Sequence, residues 1–180
     1  TRRSPLDRVE RMEGKMSKRL TNKEILVFKN TPKYLTKPLK QKWTVNLKVK
    51  QLSIELYGGD HHFQIYMRQA VMDEDNFSCG ISFVANGNND ITLARYNGSN
   101  HVHVNKCDGR RFDFECHIHE ANENSLKASK KIENYADSTN RYTNLQGAIQ
   151  CVLADFHIMD LSIGQLIEQG GLFDDELQYS

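Results

Sequence analysis

The sequence lacks any apolar run that approaches the roughly 18 residues needed to cross a membrane. Its first residues carry charge but no apolar stretch of the kind that a secretory signal requires. The four cysteines (Cys79, Cys107, Cys116 and Cys151) form no Cys-x-x-Cys pair, which argues against a zinc ribbon or a thioredoxin-type motif. There is no internal repeat and no low-complexity tract. These absences predict a cytoplasmic protein with reduced thiols and no membrane segment.

Charge is distributed unevenly along the 180 residues, although the formal net charge is only +1. Residues 1–50 hold fifteen Lys or Arg against four Asp or Glu, a net charge of +11. The remaining 130 residues carry nine basic and nineteen acidic residues, a net charge of −10. The length suits one domain with its own core. We therefore predict a basic helical arm over residues 1–42 and a single domain over residues 43–180.

A basic arm on an acidic body has two physical interpretations. The arm binds RNA or DNA, because lysine and arginine neutralise phosphates, or it folds back on its own body, a protein partner or a second copy in a homodimer. The acidic segment 173–177 is a second candidate for docking a protein partner. The candidate nucleic-acid contacts of the arm are Lys15, Lys18, Arg19, Lys37, Lys40 and Lys42.

Alternation of apolar and polar residues dominates the middle of the chain, from Trp43 to residue 119. Such alternation is typical of strands with one buried face, and a change of phase near Lys50 predicts a bulge or a break in the strand. Capping patterns at Thr21, Thr143 and Ser162 predict a short helix after Thr21 and helices over residues 143–157 and 162–169. The sequence therefore predicts an α+β fold: a twisted antiparallel β-meander of six to seven strands, with C-terminal helices packed on one face.

Residues 91–120 contain the only concentration of side chains that suggests chemistry. Four of the seven histidines lie there as two His-x-His pairs, 101/103 and 117/119. Pairing the apolar residues of one long hairpin places His101 opposite His117 and His103 opposite Glu115. The pattern thus predicts one polar sheet face that carries the four histidines and Glu115, with Arg95 or Arg111 nearby.

This predicted face has three interpretations. It is a solvated surface of hydrogen-bonded histidines, a pair of acid–base imidazoles, or a metal site whose first candidate ligands are His103, His117 and Glu115. No motif demands a cofactor, and a divalent metal ion is not excluded. The specific hypothesis is binding or metal-independent cleavage of a phosphodiester such as RNA, with a non-enzymatic interaction module as the alternative. Its candidate catalytic residues are His101, His103, His117, His119, Arg95 and Glu115.

The order of residues in this region resembles a pattern found in uncharacterised bacterial and phage proteins. The pattern comprises Arg95, the turn Asn97-Gly98, His101 and the later pair His117-x-His119. In that family a glutamate follows the second pair, and here Glu120 and Glu123 both stand near its position. The resemblance covers roughly residues 60–160. It implies a small β-rich domain with a common site, in a bacterial or phage protein, and it implies no particular reaction. The non-enzymatic alternative is an interaction module of a phage or mobile element that binds a host protein.

Overall fold

A computed structural model of the chain describes residues 20–85, 90–106, 108–127 and 132–168. The helices are α1 (Asn22–Asn30), α2 (Glu123–Lys127), α3 (Leu145–Asp155) and α4 (Ile163–Glu168), with a 3-10 turn at Ile132–Asn134. The strands are β1 (Tyr34–Leu35), β2 (Thr44–Val45), β3 (Val49–Gly58), β4 (His61–Ala70), β5 (Phe77–Val84), β6 (Ile91–Asn97), β7 (Val102–Val104), β8 (Arg111–Asp113), β9 (His117–Glu120) and β10 (Asp137–Ser138). Among these helices, none has both the length and the apolar character that a membrane crossing requires.

Eight of the strands form one antiparallel sheet in the order β1-β3-β4-β5-β6-β9-β10, with β2 paired to β3. Strands β7 and β8 form a separate two-stranded sheet. The predicted α+β class, with an antiparallel sheet and C-terminal helices on one face, is confirmed. The meander is interrupted, however, because β9 pairs with β6 and the hairpin β7–β8 lies outside the ladder.

One face of the main sheet is apolar and forms the core. Strands β3 and β4 alternate buried and more exposed residues, as period-two patterning predicts, whereas the central strand β5 is buried along most of its length. Helix α3 covers this face and buries Leu145, Ala148, Ile149 and Val152. The helices lie on the apolar face, so the opposite face of the sheet is available for polar side chains.

The change of phase near Lys50 has a different cause from the predicted bulge. Residues 46–48 form a tight turn, in which the carboxamide of Asn46 accepts hydrogen bonds from the backbone of Lys48 and Val49, each at 2.9 Å. Strand β2 therefore runs back along β3, and Thr44 faces Gln51. Of the two predicted alternatives, a bulge and a break, the structure has the break, because a short reversal of the chain also produces a one-residue change of phase.

Residues 20–42, which the sequence assigned to a peripheral arm, are integrated into the domain. Leu20 and Phe28 are buried in the core, and β1 adds an edge strand beside β3. The predicted capping box at Thr21 is present: its hydroxyl accepts from the backbone of Glu24, and the Glu24 carboxylate accepts from the backbone of Thr21. The predicted helix before Leu20 lies outside the described residues.

A partly buried group of three hydrogen-bonded side chains fixes helix α3 to strand β6. The hydroxyl of Tyr96 donates to Asp155 at 2.6 Å, and Arg141 donates to both carboxylate oxygens of Asp155 at 2.7 and 2.8 Å. Burial alone would raise the pKa of Asp155, but the hydrogen bonds from Arg141 and Tyr96 outweigh it and hold that pKa below its ordinary value. The carboxylate therefore stabilises the fold in its charged form.

Asp155→Asn is expected to lower the free energy of unfolding at pH 7 by about 1–2 kcal/mol, because the bidentate ion pair is lost while Tyr96 keeps an acceptor. A carboxylate with a depressed pKa contributes stability that is present above pH 4 and is lost as the pH falls below it. Urea unfolding at several pH values measures both effects. The exposed Glu74→Gln is the control, and equal pH profiles for wild type and Asp155→Asn would contradict the assignment.

Candidate functional site

The candidate site is built where the chain leaves strand β6 and returns to β9. Asn97 ends β6 and faces His117, the first residue of β9, so the intervening residues form an insertion at one end of the ladder. Gly98 makes the exit possible: a Cβ there would lie 2.0 Å from the carbonyl oxygen of Asp75, which only glycine avoids. Its backbone nitrogen donates to the carbonyl of Phe77. The insertion then folds into the hairpin β7–β8.

The observed pairing differs from the predicted hairpin register. Val102 pairs with Asp113 and His103 with Phe112, whereas the prediction set His103 against Glu115. Phe114, in the left-handed region at φ 55, follows β8 where the chain turns away before β9. The predicted register was wrong because it assumed one continuous hairpin, whereas residues 117–120 pair with strand β6.

The polar face of the main sheet carries the second pair of histidines. Arg95 pairs with His119 and Asn97 with His117, and opposed residues in antiparallel strands share a face. The hairpin covers this face, so His117 and His119 are 0% and 1% exposed. His101 is exposed and His103 is half-buried. The predicted solvated face is therefore wrong for the second pair and partly correct for the first.

The four imidazoles form one cluster between the hairpin and the sheet. The ring of His103 stacks on that of His117, with centroids 4.9 Å apart and an interplanar angle of 21°. His101 meets His117 edge to face at 5.2 Å, and His119 meets His103 in the same way at 4.9 Å. Each of His101, His103 and His117 offers one ring nitrogen, and these three atoms lie within 4.8 Å of one another. Three ring nitrogens that could each bind a metal ion thus lie close together.

Hydrogen bonds fix which nitrogen of His117 carries the proton. Its Nδ1 lies 2.9 Å from the backbone carbonyl of Glu115, which only accepts, so Nδ1 donates. Its Nε2 lies 3.2 Å from the side-chain nitrogen of Asn97. Burial lowers the pKa of His117 to about 4, the neighbouring imidazoles act in the same direction, and the bond to Glu115 opposes them. His117 is therefore neutral at pH 7, with its lone pair on Nε2.

The tautomer of His103 is fixed by a buried asparagine. The side-chain nitrogen of Asn105 donates to the carbonyl of Ala136 at 2.9 Å, and its oxygen accepts from the backbone nitrogen of Ala136 at 2.7 Å. This pairing fixes the orientation of the carboxamide. The same oxygen lies 3.0 Å from Nε2 of His103, which must therefore donate. In the neutral ring the lone pair of His103 is on Nδ1.

The other two histidines are held in a similar way. Nδ1 of His119 lies 2.7 Å from the carbonyl of Tyr135 and 3.2 Å from that of Ile132, so it donates. Nδ1 of His101 lies 2.8 Å from the side-chain oxygen of Asn100. Each imidazole of the cluster thus has one ring nitrogen facing an oxygen acceptor, the arrangement that orients histidines at metal sites.

Two further candidate residues stand beside the cluster in different roles. Arg95 donates from Nε to the hydroxyl of Tyr66 at 2.9 Å, and Tyr66 lies across Gly80, where a Cβ would be 2.5 Å from that hydroxyl. Glu115 reaches the cluster through its backbone carbonyl, while its residue as a whole is exposed. Arg111 forms an ion pair with Asp113 on the hairpin. The structure thus brings Arg95 and the histidines together, and it does not direct the Glu115 carboxylate to the predicted metal set.

The basic residues assigned to nucleic acid are not part of this cluster. Lys37, Lys40 and Lys42 are exposed and lie next to β1 and β2, with β3 to β6 between them and β9. Strands are spaced by about 4.8 Å, which places the two regions roughly 24 Å apart. Lys15, Lys18 and Arg19 lie outside the described residues, as does the acidic segment 173–177. Nucleic-acid binding and partner docking therefore stay predictions.

A cavity of about 380 Å³ lies on the other side of strand β9. Ile118 and Glu120 line it together with residues 121–122, Tyr135 and residues 137–139. Side chains alternate along a strand, so His117 and His119 point away from this cavity. The Glu120 carboxylate forms an ion pair with the ammonium of Lys29 at 2.8 Å, which balances the negative charge at this cavity. The cavity is therefore separate from the histidine cluster.

The sequence analysis gave no role in organising the histidines to three residues that have one: Asn97, Asn105 and Tyr142. The hydroxyl of the buried Tyr142 lies 3.1 Å from the carbonyl of Asn97 and 3.0 Å from that of His117, so it braces β6 against β9. The two asparagines stood in the sequence beside a turn and at the end of a His-x-His-x-Asn run. That second spacing was a usable signal, because residues two apart on a strand share a face.

Comparison of the chain with family models, with curated proteins and with solved structures finds no match.

Proposed function

We propose that the protein binds a divalent transition-metal ion of the zinc class through His101, His103 and His117. The convergence of their three ring nitrogens within 4.8 Å carries this proposal. Neutral imidazole suits zinc, copper, nickel and iron, whereas calcium and magnesium prefer oxygen ligands. The low pKa of His117 supports it further, because a ligand must be unprotonated at the pH of binding.

Small movements bring the ligands to coordination distance. Two nitrogens that each bind zinc at about 2.0–2.1 Å in a tetrahedral site lie roughly 3.3 Å apart. The ligand nitrogens of the three rings lie within 4.8 Å of one another, so each pair needs to approach by at most about 1.5 Å to bind one ion. His101 is exposed and precedes strand β7, so its side chain can move towards the ion while water replaces its hydrogen bond to Asn100.

Three protein ligands leave one position of a tetrahedral ion for water or substrate, as in catalytic zinc sites. Such an ion lowers the pKa of bound water and supplies a nucleophile for hydrolysis near neutral pH. The metal-independent alternative uses one imidazole as a general base, and the low pKa of His117 makes that imidazole a weak base near pH 7. RNA and other phosphodiesters are substrates that this site would suit, and they stay hypotheses.

Zinc titration by calorimetry tests the proposal. One equivalent is expected to bind, and at one hundred times the dissociation constant the ion should add about 2.7 kcal/mol to the free energy of unfolding. This corresponds to a rise in Tm of about 5–11 °C for a chain of this size. His103→Ala and His117→Ala are each expected to weaken binding at least about tenfold.

His62→Ala is the matched control, because His62 is an exposed histidine of β4 outside the cluster. It should bind zinc as the wild type does. If the wild type binds no zinc, or if the cluster variants bind it as tightly as the control, the proposal fails.

A further inference from the structure

Two asparagines contact different histidines of the proposed metal site, one as a hydrogen-bond acceptor and the other as a hydrogen-bond donor. Asn105 presents an oxygen to His103, and Asn97 presents an N–H to His117. We propose that they act on metal affinity in opposite directions, Asn105 as a positioning residue and Asn97 as a competitor of the metal ion. This inference rests on the proposed function and concerns how the affinity of that site is set.

The role of Asn105 follows from its rigid surroundings. It is 1% exposed, and its carboxamide pairs with both backbone groups of Ala136, so it cannot rotate without breaking two hydrogen bonds. Its oxygen holds the proton of His103 on Nε2 and so leaves the lone pair on Nδ1. Residues that hold a ligand imidazole in this way typically change metal affinity by about 10–100-fold when they are replaced.

The role of Asn97 follows from the tautomer of His117. Because Nδ1 of His117 donates to Glu115, Nε2 has no proton, and the Asn97 side chain must be the donor in that contact. It therefore occupies the lone pair that a metal ion would use. Metal binding replaces this hydrogen bond, whose net contribution corresponds to about a two- to tenfold change in an equilibrium constant.

Three variants separate these roles by the sign of their effect on zinc affinity. Asn105→Leu is expected to weaken binding about 10–100-fold. Asn105→Asp keeps an acceptor for His103 and is expected to bind zinc at least as tightly as the wild type, although it loses the donor to Ala136. Asn97→Ala is expected to bind about two- to tenfold more tightly.

Asn144→Ala is the control for stability. Asn144 is the N-cap of helix α3, where its side chain accepts from the backbone of Gly147, so its removal destabilises the fold and leaves the histidines and both asparagines in place. Its zinc affinity should equal that of the wild type. If Asn105→Asp and Asn105→Leu weaken binding equally, Asn105 acts through stability alone and the positioning role is overturned. If Asn97→Ala weakens binding, the competing role is overturned.

Nuclear magnetic resonance of the metal-free protein provides a readout that needs no metal. Long-range proton–nitrogen spectra should show His103 protonated at Nε2 and His117 at Nδ1, and Asn105→Leu should give a mixture of tautomers at His103. A wild-type His103 protonated at Nδ1 overturns the role of Asn105, whatever the zinc result. The assigned tautomers together with no zinc binding overturn the proposed function, and the role of Asn97 with it.

Discussion

Lowering the pH from 7 to 4 is expected to cost the metal-free protein about 3 kcal/mol of unfolding free energy through His117 alone. Burial lowers its pKa from the ordinary 6.5 to about 4, and a tenfold change in a proton-binding constant corresponds to about 1.36 kcal/mol. Between these two pKa values the unfolded chain binds the proton and the folded chain does not. The stability that His117 contributes is therefore present above pH 6.5 and is lost as the pH falls towards 4.

Urea unfolding of the wild type and of His117→Asn, from pH 7.5 to pH 4, measures this contribution. The variant starts less stable because its side chain leaves a gap, but its stability should fall less steeply below pH 6.5. His62→Gln is the control and should follow the wild-type profile, since His62 is exposed. Parallel profiles for the wild type and His117→Asn would contradict the buried neutral imidazole.

Lys33→Met is expected to lower the free energy of unfolding by about 3 kcal/mol. Lys33 is 0% exposed, and its ammonium donates to the carbonyls of Phe28, Thr31 and Phe156, which lie near the C-terminal ends of helices α1 and α3. Hydrogen bonds from a charged donor contribute about 1.5–3 kcal/mol each. Burial lowers the pKa of Lys33 to about 8, which represents a cost of about 3 kcal/mol that methionine avoids. Unsatisfied carbonyls outweigh that gain.

Thermal unfolding at pH 7 measures the effect, and a fall in Tm of about 6–12 °C is expected for a protein of this length. Lys37→Met is the matched control, because Lys37 is exposed a few residues away and its loss should change stability by less than about 0.5 kcal/mol. Equal melting temperatures for the two variants would show that the hydrogen bonds from Lys33 to the ends of α1 and α3 add nothing to the free energy of unfolding.

The sequence predicted the main sheet and the C-terminal helices because their signals are local. The alternation over residues 49–70 and the apolar stripe of helix α3 are both repeats of apolar residues, which a short stretch of sequence is enough to reveal. The start of α3 differs by one residue from the prediction, because Asn144 and not Thr143 caps the helix. The predicted cap at Ser162 forms as expected: its hydroxyl accepts from the backbone nitrogen of Gln165, and the Gln165 side chain accepts from the backbone nitrogen of Ser162.

The site was predicted in composition but not in assembly. Spacing alone places His101 beside His103 and His117 beside His119 on common faces. The pairing of β6 with β9 is non-local, and no local pattern encodes it. The prediction also directed the valines of the hairpin towards a core, whereas the hairpin lies on a polar face and turns His103 and Phe112 inward, leaving Val104 47% exposed. His117 is buried because the hairpin packs its histidine-bearing side, and not its valines, against the sheet.

Because the hairpin is inserted between β6 and β9, the main sheet with its helices is structurally separate from the loop that carries His101 and His103. The ladder that joins Asn97 to His117 closes before the insertion begins, and the apolar core lies on the far side of the sheet. Selection can therefore lengthen, shorten or replace residues 99–115, between Gly98 and the buried Cys116, while the sheet and its helices stay as they are. The same scaffold can acquire a new reactivity by exchange of one loop, with the histidines of β9 as the half of the site that is already in place.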